Sequence, residues 1–204
     1  MSTLRAYSDL LRMGKPILTT RDAALRLRVS SPEACRLLSR LQKEGFALRI
    51  FRGLWTLDTG LDPLAVPPHL TAPFPAYVSL WTALHLHAIV SQIPQIVYAA
   101  TPGPTRRVVT TLGTYSLHRL APAFFGGYGS DVRSGVLLAT PEKSLLDLLY
   151  LTPARSRLFA HPPEISLPKR FRIEEARRWI GRIRDPLRQK MVRARLDAIL
   201  GRRA

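Results

Sequence analysis

Cysteine is almost missing from this chain: Cys35 is the only one in 204 residues. One thiol closes no intrachain disulfide, and no cysteine cluster exists to hold zinc or an iron–sulfur centre, so no metal and no cofactor are expected. Cys35 itself reads as a small buried hydrophobe. Acidic residues are scarce as well, 14 against 31 Lys and Arg, for a net charge of +17. From Pro63 to Thr105 there is no charged residue of either sign. That stretch is still a poor membrane span, because eight prolines and Ser79, Thr82, His85 and His87 interrupt it, and a spanning helix needs about 20 apolar residues in a row. The first residues, Met1 to Leu11, include Arg5 and Asp9 and lack an apolar run of signal-peptide length. A cytoplasmic protein without membrane association is therefore expected.

What is present narrows the class further. A hydrophobic content of 46% excludes a disordered basic tail protein. A charge so far from neutral points to a polyanionic partner: nucleic acid, an anionic membrane surface or an acidic protein. A codon bias accounts for the preference of Arg over Lys but not for the shortage of acids.

The pattern predicts an α+β fold in three zones. Residues 1–60 alternate short helical patterns and end in a hairpin. Residues 61–76 hold five prolines (Pro63, Pro67, Pro68, Pro73, Pro75) and read as an extended connector. Residues 77–204 mix strands and helices and finish in a basic helical segment. In the first zone, Leu4, Leu10 and Leu11 suit an amphipathic helix that Gly14 ends. Thr19 caps a second helix, with Asp22 as its capping-box partner and Ala24 and Leu27 facing inward. After a turn at Val29–Ser30, Ser31 is expected to cap a third helix with Pro32 at its first position and Glu33 at the positive end. Ala34, Leu37, Leu38 and Leu41 form its buried stripe; Arg36, Arg40 and Lys43 lie on the other face. Strands Phe46–Phe51 and Leu54–Asp58, joined by Arg52–Gly53, complete a winged helix-turn-helix.

Such a domain binds double-stranded DNA by setting a helix with small polar residues at its N-terminus and long basic residues along one face into the major groove. Ser31, Glu33, Arg36, Arg40 and Lys43 are the candidates on the helix. Arg49 and Arg52 on the wing can reach phosphates or the minor groove. The plainer alternative is a small helical domain with a solvated arginine face.

The remaining zone offers little catalytic chemistry. "YVSLWTALHLHAIVSQIP" reads as a helix that Ser79 caps and that runs to about Ile89. His85 and His87, two apart, point to different helix faces and cannot share a metal. "QIVYAAT" is a buried strand, and "RRVVTTLGTYSLHRL" a hairpin turning near Gly113. "FFGGYGS" lacks the residues of a P-loop or dinucleotide fingerprint and reads as a loop needing positive φ. "GVLLATPEKSLLDLLYL" gives strand Val136–Ala139 and then a helix that Thr140 caps, with Pro141 first and Lys143 and Asp147 able to pair four apart. Leu145, Leu148 and Leu149 face the core. A metal-dependent nuclease centred on Glu142, Lys143 and Asp147 is disfavoured, because Glu142 and Lys143 are adjacent and Pro141 puts them at a helix start. Residues 169–204 carry 13 basic and 4 acidic side chains. There Ile173, Ala176, Ile180 and Ile183 form one apolar stripe, and Leu187, Met191, Ala194 and Ala198 suggest a second. Arg178, Arg182, Arg188 and Arg193 lie off these stripes as auxiliary phosphate contacts.

Three segments together resemble the AbiEi antitoxin family of bacterial type IV toxin–antitoxin systems. They are "RGLWTL" (Arg52 to Leu57) closing the basic N-terminal zone, "YVSLWTALHLHAIVSQIP" with Tyr77 and Ser79, and "ATPEKSLLDLLY" with Pro141, Glu142, Lys143 and Asp147. The likeness spans residues 5 to 168; Ala88 and Ser144 depart from it, where glycine and alanine are expected. The resemblance implies an N-terminal winged helix that binds inverted repeats in its own promoter and represses the operon. It also implies a C-terminal domain that counters a nucleotidyltransferase-like toxin without a stable complex, and no enzymatic activity. The motif residues of the C-terminal domain are then structural. The rival within regulation is an orphan winged-helix transcription factor whose C-terminal domain senses a ligand or partner.

Overall fold

The first three helices bury one face each against a small sheet. In the computed structural model, which describes residues 3–131, 134–152 and 164–201, helix α1 (Thr3–Leu11) turns Ala6 and Leu10 inward. Leu4 and Leu11, expected on its apolar face, are exposed instead: only one narrow stripe of so short a helix meets a neighbour. A strand not foreseen in the sequence, β1 (Ile17–Thr19), follows. Helix α2 (Thr20–Leu27) carries the expected reciprocal cap, Thr19 accepting from the Asp22 N–H and Asp22 accepting from the Thr19 N–H.

Helix α3 (Ser31–Lys43) begins one residue earlier than expected, for its N-cap is Ser30 rather than Ser31. The reason is the spacing of the capping box. Glu33 stands three residues after Ser30, so its carboxylate accepts from the Ser30 N–H at 2.9 Å while Ser30 Oγ accepts from the Glu33 N–H. Ser31 becomes the first helical residue and Pro32 the second. Ala34, Leu38 and Leu41 are fully buried, whereas Leu37 and Cys35 sit at the edge of the core. Strands β2 (Leu48–Phe51) and β3 (Leu54–Thr56) form the hairpin, whose turn requires a left-handed Gly53 (φ 74°). The sheet order is β1-β3-β2, all antiparallel. Trp55 on β3 is fully buried and its indole N–H donates to Thr20 Oγ1 at 3.0 Å.

Residues 61–76 are not an extended connector. They coil into a 3-10 turn (Pro63–Ala65) and helix α4 (Pro67–Thr71), with prolines at the first helical positions, where a missing N–H costs nothing. Leu61, Val66 and Leu70 between those prolines need cover, and they join a core cluster with Ile17, Ile50 and Leu54 on one side and Val78, Ala99, Tyr115 and Leu117 on the other. Tyr115 donates its hydroxyl to the Pro63 carbonyl at 3.0 Å, and the Arg106 guanidinium donates to the Leu70 carbonyl.

The second sheet has six strands in the order β6-β7-β5-β4-β9-β8. These are β4 (Tyr77–Val78), β5 (Val97–Thr101), β6 (Arg106–Thr110), β7 (Gly113–Arg119), β8 (Tyr128–Ser130) and β9 (Leu137–Ala139). The sheet is mixed: β5 runs parallel to β7, β4 parallel to β9, and the other neighbours are antiparallel. Alternation along the strands splits the core in two. Val78 and Ala99 face the connector cluster, while Tyr77, Tyr98 and Ala100 face helices α5 (Leu80–Leu86), α6 (Pro141–Leu151), α7 (Ile173–Ile180) and α8 (Pro186–Gly201). Tyr77 and Val78, ahead of the Ser79 N-cap, form strand β4, and α5 stops at Leu86, short of the expected end at about Ile89. On α7 the stripe through Ala176 and Ile180 is buried as expected. On α8 it lies elsewhere: Val192 and Leu196 are buried, Leu187 is 81% exposed, and Ala194 and Ala198 face solvent.

Two stability tests follow from these contacts. Ser30→Ala is expected to cost about 1 kcal/mol in denaturant unfolding, and Ser31→Ala only a few tenths; equal effects would return the cap to Ser31. His118 on β7 is buried against Ser116 Oγ, 2.8 Å from its Nε2, and burial holds the imidazole down at about 4 from its ordinary 6.5. The unfolded chain therefore takes up this proton first, so stability falls as pH drops from about 6.5 toward about 4, by at most ~1.4 kcal/mol per pH unit, and this contribution is flat below. Unfolding curves for His118→Gln, compared with wild type at pH 7 and pH 5, should show a smaller loss.

Candidate functional site

Most basic residues of the first sixty have no anion to answer them. Lys15 is held by Asp22 at 2.9 Å and Arg12 by Asp9 at 3.6 Å, while Arg26 donates to the Asp9 carbonyl. Of the others, Arg21, Arg28, Arg36, Arg40, Lys43, Arg49 and Arg52 are exposed and form no salt bridge among the described residues. Arg36, Arg40 and Lys43 recur at helical spacing along α3, opposite the buried Ala34–Leu38–Leu41 stripe. Arg28 is an addition: it sits in the turn between α2 and α3 in the left-handed conformation (φ 55°), and its place just before the cap was the signal that could have pointed to it.

The hairpin holds its arginines differently. The Arg49 guanidinium lies 5.5 Å from the centroid of Trp55, which restricts it without neutralising it. Arg52 occupies the exposed tip beside Gly53. The outer edge of β2 is closed by the tip of the β6–β7 hairpin, where Thr111 donates its N–H to the Ile50 carbonyl at 3.1 Å and its hydroxyl to the Arg49 carbonyl at 2.8 Å. Glu33, a candidate on the same helix, has its carboxylate engaged by the Ser30 N–H and hydroxyl. The Ser30 hydroxyl and N–H hold that carboxyl below its ordinary value, with the nearby Arg36 charge acting the same way. Ser31 is exposed in the first turn of α3, free of capping duty.

The arginines of the C-terminal helices fall into two kinds. Arg182 stacks 4.2 Å from the Trp179 centroid and Arg188 4.7 Å from that of Tyr150. Arg178 and Arg193 are simply exposed.

A second assembly of polar groups is entirely buried. Tyr77, Ser79, Lys143 and Asp147, from two segments some seventy residues apart, meet between β4 and α6. The Lys143 ammonium contacts one Asp147 oxygen and donates to Tyr77 Oη at 3.0 Å; Tyr77 and Ser79 donate to the other Asp147 oxygen at 3.0 and 2.7 Å. Ser79 stands at the N-cap of α5 but spends its hydroxyl here and makes no capping bond. The ammonium also lies 4.0 Å from the Phe124 centroid and 5.3 Å from that of Trp179. Burial pushes the Lys143 ammonium down and the Asp147 carboxyl up, each opposed by the other's charge; burial and then the Asp147 charge push the Tyr77 phenol well up. Gly127 (φ 72°) passes so close that an added Cβ would stand 2.8 Å from Trp179 and 2.9 Å from Lys143 Cγ. With Lys143, Asp147, Tyr77 and Ser79 all fully covered, the group reaches no solvent.

Glu142 is buried as well, yet differently. Its Oε1 accepts from the Arg172 N–H at 2.8 Å, while Oε2 has no hydrogen-bond partner among the described residues. His87 stands nearby with Nε2 2.7 Å from the Ala139 carbonyl. Among the described residues no three His, Cys, Asp or Glu side chains converge as metal ligands.

The buried pair makes a ranking. Asp147→Ala is expected to cost about 3–5 kcal/mol, since it strands the Lys143 charge and two hydroxyls at once. Lys143→Met should cost less, because Asp147 keeps both hydroxyl donors. Denaturant unfolding of the two variants checks the order. No family model matches the chain, and no curated protein is significantly similar to it.

Proposed function

We propose that this chain is a DNA-binding autoregulator of the AbiEi antitoxin kind, acting without catalysis. The observation that carries the DNA reading is the run of exposed cations on α3 and the β2–β3 hairpin that form no salt bridge among the described residues. Around it the order α1-β1-α2-α3-β2-β3 supports a winged helix-turn-helix. In this reading α3 enters the major groove. Ser31 and Arg36 lie toward its N-terminal turn, Arg40 and Lys43 toward the flanking phosphates, and Arg49 and Arg52 hold the backbone or the minor groove beside it. Glu33 positions the helix through its cap instead of reading a base.

The antitoxin role rests on the resemblance in the Tyr77–Ser79 and Pro141–Asp147 segments. It is supported by the way those segments interlock through one buried hydrogen-bond group. The partner would be a nucleotidyltransferase-like toxin, countered without a stable complex. That Lys143 and Asp147 are sealed from solvent favours this non-catalytic reading over a nuclease.

Promoter-fragment retardation tests the DNA role. Arg36→Ala with Arg40→Ala is expected to abolish the shift with thermal stability unchanged, and a double variant that still shifts DNA at wild-type concentration overturns the assignment. Neutralising about six phosphates gives a log–log salt slope near −5. Growth rescue on co-expression with the neighbouring reading frame tests the antitoxin role.

A further inference from the structure

Arg178, Arg182, Arg184 and Arg188 crowd the corner where α7 turns into α8. The first three are exposed and Arg188 is half-buried, and none of them is in a salt bridge among the described residues. The neighbouring acids are taken. Glu175 pairs with Arg172, Glu174 pairs with Arg177, and Asp185 accepts the Leu187 and Arg188 N–H groups at the start of α8. The corner is also braced. Gln189 donates to the Ile180 and Ile183 carbonyls at 3.2 and 3.4 Å, which ties the first turn of α8 to the end of α7. Arg182 and Arg188 lie over Trp179 and Tyr150, rings that Phe124 joins at centroid distances of 6.3 and 4.7 Å. An aromatic face restricts a guanidinium without neutralising it, so these charges are held ready for an anion.

The surroundings select that anion. Single strands are held by stacking bases on open aromatic faces. Here the guanidiniums already lie over Trp179 and Tyr150, and Tyr150 is buried. An anionic membrane surface calls for an apolar face beside the charge, and among the described residues of 164–201 Leu187 is the one large exposed hydrophobic. Fixed, dense phosphates match the corner better: guanidiniums bind them in a fork, and duplex DNA presents one charge per about 1.7 Å of its axis. The duplex on α3 is poorly placed to supply them. The unit carrying α3 packs through Ile17, Ile50 and Leu54 on the Val78–Ala99 face of the six-stranded sheet, while α7 and α8 pack on the Tyr77–Tyr98 face. A duplex is stiff over such lengths and resists wrapping around the sheet.

We propose that the α7–α8 corner is a second duplex-DNA site, and that one chain bridges two duplex segments. The operator sits on α3 and the hairpin, and the second segment sits on the corner through its phosphates, whatever its sequence. The bridge rests on the DNA reading of α3. Phosphate-only binding is weak, with Kd about 10⁻⁴–10⁻⁶ M at physiological salt, so the corner adds a segment at micromolar protein and does not replace α3 on the promoter.

Bead capture with the full chain tests the bridge. A biotinylated promoter duplex is immobilised, micromolar protein is added at low ionic strength, and retention of a free fluorescent duplex of unrelated sequence is read. Wild type is expected to retain it. Changing Arg178, Arg182, Arg184 and Arg188 together to Gln should lower retention roughly tenfold or more, with the promoter shift kept. Arg178 and Arg184 are exposed, so Arg178→Gln with Arg184→Gln retains the fold, and it should lower retention about threefold. Unchanged retention in that pair overturns the proposal. So does a wild type that shifts the promoter yet retains no second duplex. So does full retention by the quadruple variant, as two copies joined to each other would give, or tighter retention of a single strand than of the duplex. The promoter shift of Arg36→Ala with Arg40→Ala decides the α3 reading separately: its persistence removes that reading, whereas a wild type with an intact shift and no retention removes the bridge alone.

Discussion

The fold turns on one ion pair removed from water. Lys143 and Asp147 are four residues apart on α6, both fully buried, and between them they hold Tyr77 at the edge of β4 and Ser79 at the start of α5. Bringing two charges into an apolar interior costs several kcal/mol each, and their attraction returns that only with good geometry and further hydrogen bonds. The further bonds are present, and so are the aromatic faces of Phe124 and Trp179 around the ammonium. An apolar pair of the same size would pack as stably. What the ionic pair adds is position: the helix can rotate or slip along the sheet only by unpairing a buried charge. The loop at Gly126–Gly127 and the helix carrying Trp179 are then built against that fixed point.

The same economy explains the surface. Half of the chain's fourteen acids are spent within the fold. Asp22, Glu33, Asp62 and Asp185 accept backbone N–H groups at the starts of helical segments, and Asp58 does so in a turn. Glu142 and Asp147 are buried. Asp9, Glu174 and Glu175 pair with arginines, but the excess of 17 basic side chains has no acid to match it. It is also uneven: residues 1–60 carry +6, residues 61–168 carry +2 and residues 169–204 carry +9.

Local chemistry was legible wherever a short-range rule decided the outcome. The caps at Thr19 and Thr140, the hairpins at Gly53 and Gly113, the strand through Val97–Thr101 and the pairing of Lys143 with Asp147 all follow from spacings of a few residues. What was hidden depends on distant partners. Strand β1 exists because β3 offers it an edge, and nothing in Ile17–Thr19 announces that. The proline-rich stretch looked extended because prolines punctuate chains, but Leu61, Val66 and Leu70 fold it onto the sheet. On α8 two apolar stripes competed, and the packing partner chose Val192 and Leu196. On the candidate interface the basic positions could be read directly, whereas the role of Glu33 turned on a single-residue shift of the cap.

The layering bears on how the two basic zones relate. The first unit and the connector pack on the face of the six-stranded sheet that carries Val78, Ala99, Tyr115 and Leu117. Helices α6, α7 and α8 pack on the face that carries Tyr77, Tyr98 and Ala100. Strand alternation thus puts α3 and the C-terminal helices in different layers, with the sheet between them. Thr111 bonds β2 to the second sheet, and Arg106 bonds residue Leu70 to β6. A straight, rigid duplex lies against one surface at a time, and bending a 20–30 base-pair site sharply costs about 1–6 kcal/mol. Arginines on α8 can share a duplex with α3 only around an edge of the sheet, at that elastic cost. The charge that first suggested nucleic acid therefore consists of two separately mounted surfaces, and contact with DNA by one does not imply contact by the other.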